Sequence, residues 1–127
     1  MIIVQSQDLG TIWPKVEHWL APAVRENQGD ENLLDVLIAL ARGIYLLWYE
    51  EGQFAGVVQV SHYPRQKVAT VLYCGGTGLP EIAKAFENGK LWAKANGINV
   101  VRTWGREGWR RSLGLKQVGV ILQETIL

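Results

Sequence analysis

Three short apolar runs, residues 44–49, 54–60 and 68–73, follow one another with only four to seven residues between them, and this spacing leaves few folds open. Strands so close in sequence cannot pair in parallel, because a parallel crossover takes roughly a dozen residues or more. They are predicted to form an antiparallel meander. Glu50-Glu51-Gly52-Gln53 and Tyr63-Pro64-Arg65-Gln66 supply its turn residues. The next β-rich run, residues 98–103, comes only after a helical stretch, so it is predicted to lie parallel to the strand before it.

Helices bracket the meander. Residues 1–5 read as a first strand. From Thr11 onward Ile12, Val16, Trp19, Leu20 and Ala23 fall on one face of a helix. Pro14 suits its first turn, and Pro22 is predicted to bend or end it. Asp30 is predicted to cap a second helix that buries Leu33, Leu34, Leu37, Ile38 and Ala41 and stops at Gly43. After the meander, Cys74-Gly75-Gly76-Thr77-Gly78 breaks the strand pattern and Pro80 opens a helix. Its core face is Ile82, Ala85, Phe86, Gly89 and Ala93, and Asn96-Gly97 ends it. Residues 105–113 hold a short final helix, and Val118, Val120, Leu122 and Ile126 alternate as a last strand. The expected fold is one α/β domain over residues 1–127: a mixed, mostly antiparallel twisted sheet of about six strands with helices on both faces.

Composition narrows the function. Thirteen Lys and Arg against twelve Asp and Glu give a net charge of +1, without the strong basic excess of a dedicated nucleic-acid binder, so nucleic acid is disfavoured as a partner. The charge is uneven along the chain, since residues 1–52 carry three basic and eight acidic side chains and residues 53–127 carry ten and four. Neutralisation between the halves of one fold is the simpler reading, and attraction of an anion by the second half is the other. The lone Cys74 makes no internal disulfide, and Cys74 with the separated His18 and His62 makes no metal set. The start of the chain lacks a basic, apolar leader, and no apolar run approaches the roughly 20 residues of a membrane span. A cytoplasmic protein without a membrane partner is expected.

The strongest local signal is the strand, glycine turn and helix over residues 68–96. Glycines admit a ligand close to the backbone, and free amides at a helix start favour an anion such as pyrophosphate. A purely structural turn is the competing reading. Tyr73, beside the glycines, reads as a packing residue or as a proton donor. His62, closing the third strand, is the best lone candidate for a base, against the plainer reading of an exposed edge histidine. Glu50 and Glu51 read as solvated turn residues, and Cys74 as a buried strand end. The segment around Trp104, Arg106, Trp109 and Arg110 has the composition of an interface hot spot, of a single-stranded nucleic-acid platform, and also of a helix that packs its tryptophans on the sheet.

The order of elements resembles that of the GNAT acyltransferase superfamily over most of the chain. In that family a Q/R-x-x-G-x-G/A loop binds the pyrophosphate of acetyl-CoA. Here Tyr73-Cys74-Gly75-Gly76-Thr77-Gly78 has both glycines, with Tyr73 in place of Gln or Arg. Gly114-Leu115 looks like the Gly-Phe pair that closes the family's final helix. The tyrosine many members use to protonate the thiolate would fall near Arg110, where there is none. Gly105-Arg106-Glu107-Gly108-Trp109 is also similar to a segment of short GNAT-like proteins encoded by phages and prophages. The resemblance implies an acetyl-CoA-dependent N-acyltransferase, with cofactor at Tyr73, Gly75, Gly76, Thr77 and Gly78 and a small-molecule or protein amine as acceptor. The alternative is a catalytically silent fold serving as an interaction or virion-associated module. It would bind a phage or host protein through Trp104, Arg106, Trp109 and Arg110, and a homodimer through the edge strand at residues 118–126 fits either reading.

Overall fold

The computed structural model describes residues 2–104 and 107–126. A short strand β1 (Ile2–Ile3) leads through a single 3-10 turn (Ser6–Asp8) into helix α1 (Leu9–Arg25) and helix α2 (Leu33–Ala41). The meander follows as β2 (Leu46–Glu50), β3 (Phe54–His62) and β4 (Lys67–Gly76). Helix α3 (Leu79–Ala95), strand β5 (Val100–Thr103) and helix α4 (Glu107–Ser112) complete the regular structure. The five strands lie in sequence order in one sheet, antiparallel throughout except for the predicted parallel pairing of β4 with β5.

Two hydrophobic clusters fill the space on either side of the sheet, as a two-faced α/β architecture requires. On one face α1 and α2 set Val16, Leu20, Val36 and Leu40 against Leu47, Tyr49, Val57 and Tyr73. On the other, Phe86 and Ala93 from α3 and Leu113 beyond α4 meet Trp48, Phe54, Val58 and Val71. Trp48 is fully buried there, and it fits because Gly89 of α3 has no Cβ to strike its indole ring.

Several expectations need correction. Of the two outcomes expected at Pro22, a bend or an end, the end does not occur, and helix α1 runs on to Arg25. An interior proline costs about 3 kcal/mol in a helix, and α1 has two, Pro14 and Pro22. Both are exposed, so the carbonyls they leave unbonded face water. The opposite face buries Leu9, Trp13, Val16, Leu20 and Val24, and at roughly 1.5–3 kcal/mol for each large apolar side chain this outweighs the two breaks. The cap of α2 is Asn32 rather than Asp30. Asn32 Oδ1 accepts from the Asp35 amide and Asp35 Oδ2 accepts from the Asn32 amide, each at 2.9 Å, a reciprocal box that Asp30 lies too early to form.

The glycine segment does not leave the sheet at Cys74. Cys74, Gly75 and Gly76 stay in β4, opposite Gly56, Ala55 and Phe54. The strand predicted over residues 118–126 is absent. Alternation marks a strand only where a neighbour supplies hydrogen bonds, and here Val118, Leu122 and Ile126 stand 75%, 88% and 90% exposed. The sheet thus has five strands among the described residues, where about six were expected.

Candidate functional site

The pairing of β4 with β5 stops at Val71 opposite Thr103, while β4 continues to Gly76. Past that point β4 keeps only β3 on one side, so residues 72–76 turn an open strand edge toward the space β5 has vacated. The Thr103 hydroxyl donates to the Val71 carbonyl at 3.1 Å and marks the point of divergence. A cleft of about 1340 Å³ opens there, lined along β4 by residues 72–76, by Gly78, Leu79 and Ile82 at the head of α3, and by Trp104 beyond β5.

A bulge shapes the cleft wall. Val57 pairs with Tyr73 and the next residue, Val58, with Val71, which leaves Leu72 as an extra residue in β4. Strict alternation would send Tyr73 to the α3 face with Ala69 and Val71. Leu72 and Tyr73 instead both pack on the α1 and α2 face, and Cys74 returns to the α3 face.

The redirected Tyr73 meets the α1–α2 connection. Its hydroxyl donates to Glu31 Oε1 at 2.6 Å and accepts from Asn27 Nδ2 at 3.3 Å. The Tyr45 hydroxyl lies 3.0 Å from both oxygens of the same carboxylate. Asn27 holds the connection itself, with its Nδ2 donating to the Glu31 carbonyl at 2.8 Å and its Oδ1 accepting from the amides of Gly29 and Asp30. Burial and the Glu31 carboxylate raise the Tyr45 phenol to about 12 and push Tyr73 well above the ordinary phenol range, so both remain donors. Glu31, absent from the sequence reading, is therefore a cleft carboxylate clasped by two phenols. Its only sequence signal is an acidic residue in a polar interhelix loop.

The other expected site residues divide. Gly75 and Gly76 line the cleft, but each is tightly overlaid by backbone: a Cβ on Gly75 would strike the Trp19 carbonyl and one on Gly76 the Gln53 carbonyl. The Thr77 amide donates to that Gln53 carbonyl at 3.0 Å. Gly78 is extended, and a Cβ there would meet the tip of Glu81 at 3.0 Å and Pro80 Cδ at 3.7 Å. Pro80 carries no amide, so the donors at the start of α3 are reduced to its neighbours, and Glu81 adds negative charge in the same turn.

His62 is exposed at the far end of β3, opposite Lys67, roughly 30 Å along the strands from Gly76 at about 3.3 Å per residue. Cys74 is buried and its thiol is pushed up to about 12 by desolvation. Trp104 is exposed on the cleft rim, whereas half-buried Trp109 meets Phe86 edge to face at 6.4 Å. Arg110 Nη1 donates to Gln117 Oε1 at 3.2 Å, and Arg106 lies outside the described residues. Gly114, at φ 65°, follows α4 in the left-handed conformation. Among the described residues no helix is long and apolar enough to cross a membrane.

No family model and no curated protein matches the chain at the level of sequence. Solved structures do match its fold. An aminoglycoside acetyltransferase from an uncultured soil metagenomic sample superposes with a TM-score of 0.66 at 12% identity, over 99% of this chain and 95% of that one. A probable acetyltransferase gives 0.63 at 12% identity, over 100% and 97%. A protein of Thermus thermophilus gives 0.56 at 16% identity, over 100% and 98%. The chain has a GNAT-like fold, shared across its length with the aminoglycoside acetyltransferase and the probable acetyltransferase.

Proposed function

We infer that the protein is a GNAT-type N-acyltransferase that draws the thioester arm of acetyl-CoA between β4 and β5 and takes an amine on the α1–α2 side of the cleft. The observation that carries this reading is the open edge of β4 beyond Val71, set in a cleft that continues to the head of α3. An extended pantetheine-like arm has amide groups suited to a bare strand edge. Acetyl-CoA, when bound, supplies the activated acyl group.

The residues present fit that group unequally. The strand edge and cleft suit the arm. Around the phosphates, Gly75 and Gly76 are taken up by packing and the Thr77 amide by Gln53, so the pyrophosphate is left with the helix-start amides near Gly78, beside Glu81. This shortened cradle favours the second reading, a silent GNAT-like fold kept as an interaction or virion-associated module, with the exposed Trp104 in its contact surface.

Calorimetric titration with acetyl-CoA, with free CoA alongside, separates the two. The enzyme reading expects micromolar binding that Gly78→Asp abolishes, because an added carboxylate there faces the phosphate while the extended backbone at φ 178° accepts any residue. No binding at millimolar ligand would sink the enzyme reading. Gly76→Asp is a poor probe, since the Gln53 carbonyl leaves its side chain no room.

A further inference from the structure

The wall of the cleft on the α1–α2 side has a chemistry of its own. Glu31 lines it with the rings of Trp19, Tyr45 and Tyr73, and no Lys or Arg is among the described lining residues. His18, whose ring lies 5.0 Å from that of Trp19, is the one basic side chain described in that wall. Asp30 adds to the negative field there.

The geometry at Glu31 is more specific than the charge. Tyr73 donates to Oε1, and Tyr45 spans both oxygens. A carboxylate offers about four lone-pair directions, so two phenols hold it in one orientation and leave acceptor capacity on Oε2. A carboxylate held in this way by donors from β4 and from the residue before β2 has given up rotamer freedom before any ligand arrives, which is the preorganisation that a charge-assisted hydrogen bond benefits from. The rings of Trp19, Tyr45 and Tyr73 line the same wall, and an aromatic face attracts a cation and disfavours an anion. Carboxylate groups of a ligand would be repelled, and a neutral hydroxyl would gain little.

We propose that Glu31, clasped by Tyr45 and Tyr73, is an ammonium-binding site, and that the molecule entering this side of the cleft is a cationic alkylamine. Identifying that amine with the acyl acceptor rests on the acyltransferase reading above; the ammonium site itself does not. Glu31 binds and orients the amine, and Tyr45 and Tyr73 act as positioning residues through it.

The test is titration of the full chain with 1,4-diaminobutane, with 1,4-butanediol as the uncharged match and acetyl-CoA as a separate ligand. The parent is expected to bind the diamine and not the diol. Glu31→Gln, which keeps the shape and removes the charge, should weaken the diamine by about tenfold or more, the scale of a hydrogen bond to a charged group. It should leave acetyl-CoA binding as in the parent. Tyr45→Phe and Tyr73→Phe keep the charge and release its orientation, so each should weaken the diamine by less than Glu31→Gln does. They also keep the proposal testable if Glu31→Gln fails to fold.

Equal diamine affinity in parent and Glu31→Gln, or no diamine binding by the folded parent, overturns the site. Diamine binding lost in Glu31→Gln, with no acetyl-CoA binding by any form, upholds the site and removes the acyltransferase reading. Acetyl-CoA binding without diamine binding does the reverse.

Discussion

Gly75 of β4 lies directly beneath the main-chain carbonyl of Trp19 in α1, with no room between them for a Cβ. The helix can approach the sheet this closely only because position 75 has no side chain. Gly76 stands in the same relation to the Gln53 carbonyl across the hairpin. Backbone atoms cannot swing aside as a side-chain tip can, so Gly75→Ala and Gly76→Ala should each cost about 3 kcal/mol, the upper end of over-packing. Gly78→Ala, whose Cβ is crowded by the far end of the Glu81 side chain and otherwise meets Pro80 at ordinary contact distance, should stay within about 1 kcal/mol. Urea unfolding midpoints of the three variants check this, and equal losses at all three positions would refute the packing role.

That relationship also marks where the sequence stopped being readable. The meander, the parallel return to β5 and the core face of α3 follow from spacing and periodicity, because those patterns report local geometry. The glycines at 75 and 76 signal equally a ligand cradle and a close helix–sheet contact, since both need a bare backbone. The bulge at Leu72 has no local signature, and without it Tyr73 belongs to the wrong face and its bond to Glu31 is invisible. The apolar alternation at Val118, Val120 and Leu122 describes one side of a strand pair and says nothing of whether the other side exists.

A second packing test lies on the opposite face. Gly→Ala inside a helix ordinarily gains about 1 kcal/mol. At Gly89 the added carbon would fall within 2.5 Å of the Trp48 ring, which is fully buried and has nowhere to move. Over-packing of about 1–3 kcal/mol should therefore win, and Gly89→Ala should lower the melting temperature. Ala substitution at Gly10, in the first turns of α1 with open space around it, should leave stability unchanged or raised. A stabilised Gly89→Ala would show that α3 sits farther from the sheet than described.

Cys74 faces the α3 side of β4 and is 8% exposed, with desolvation raising its thiol to about 12. At pH 8 the thiol stays protonated, and thiolate is the reactive form. Ellman's reagent should therefore label the native protein far more slowly than the urea-unfolded chain. Fast native labelling at pH 8 would rule out the buried-strand-end role and return Cys74 to consideration as a reactive group.

The phenols of the cleft make an alkaline prediction whose sign is fixed. Burial, then the hydrogen bond and charge of Glu31, then the charge of Asp30 raise Tyr45 from 10 to about 12. Burial and Glu31 raise Tyr73 as well, with Asn27 opposing, and burial and Glu51 raise Tyr49. Each is a neutral acid that holds its proton to higher pH in the folded chain than in the unfolded one. The unfolded state therefore loses protons first as pH rises past about 10, and stability falls there. Below pH 10 the contribution is present in full; between 10 and 12 that of Tyr45 is progressively lost. Lysines also titrate in this range, so the comparison must be with variants. Tyr45→Phe should lose less stability than the parent between about pH 8 and pH 11, measured as the change in urea midpoint, because one late phenol has been removed. Phenolate absorbance of the folded parent should likewise lag that of the unfolded chain. A parent and a Tyr45→Phe variant that lose stability in parallel would mean that the Tyr45 hydroxyl is not held by Glu31, and the carboxylate would then lack one of the two donors that fix it in the cleft.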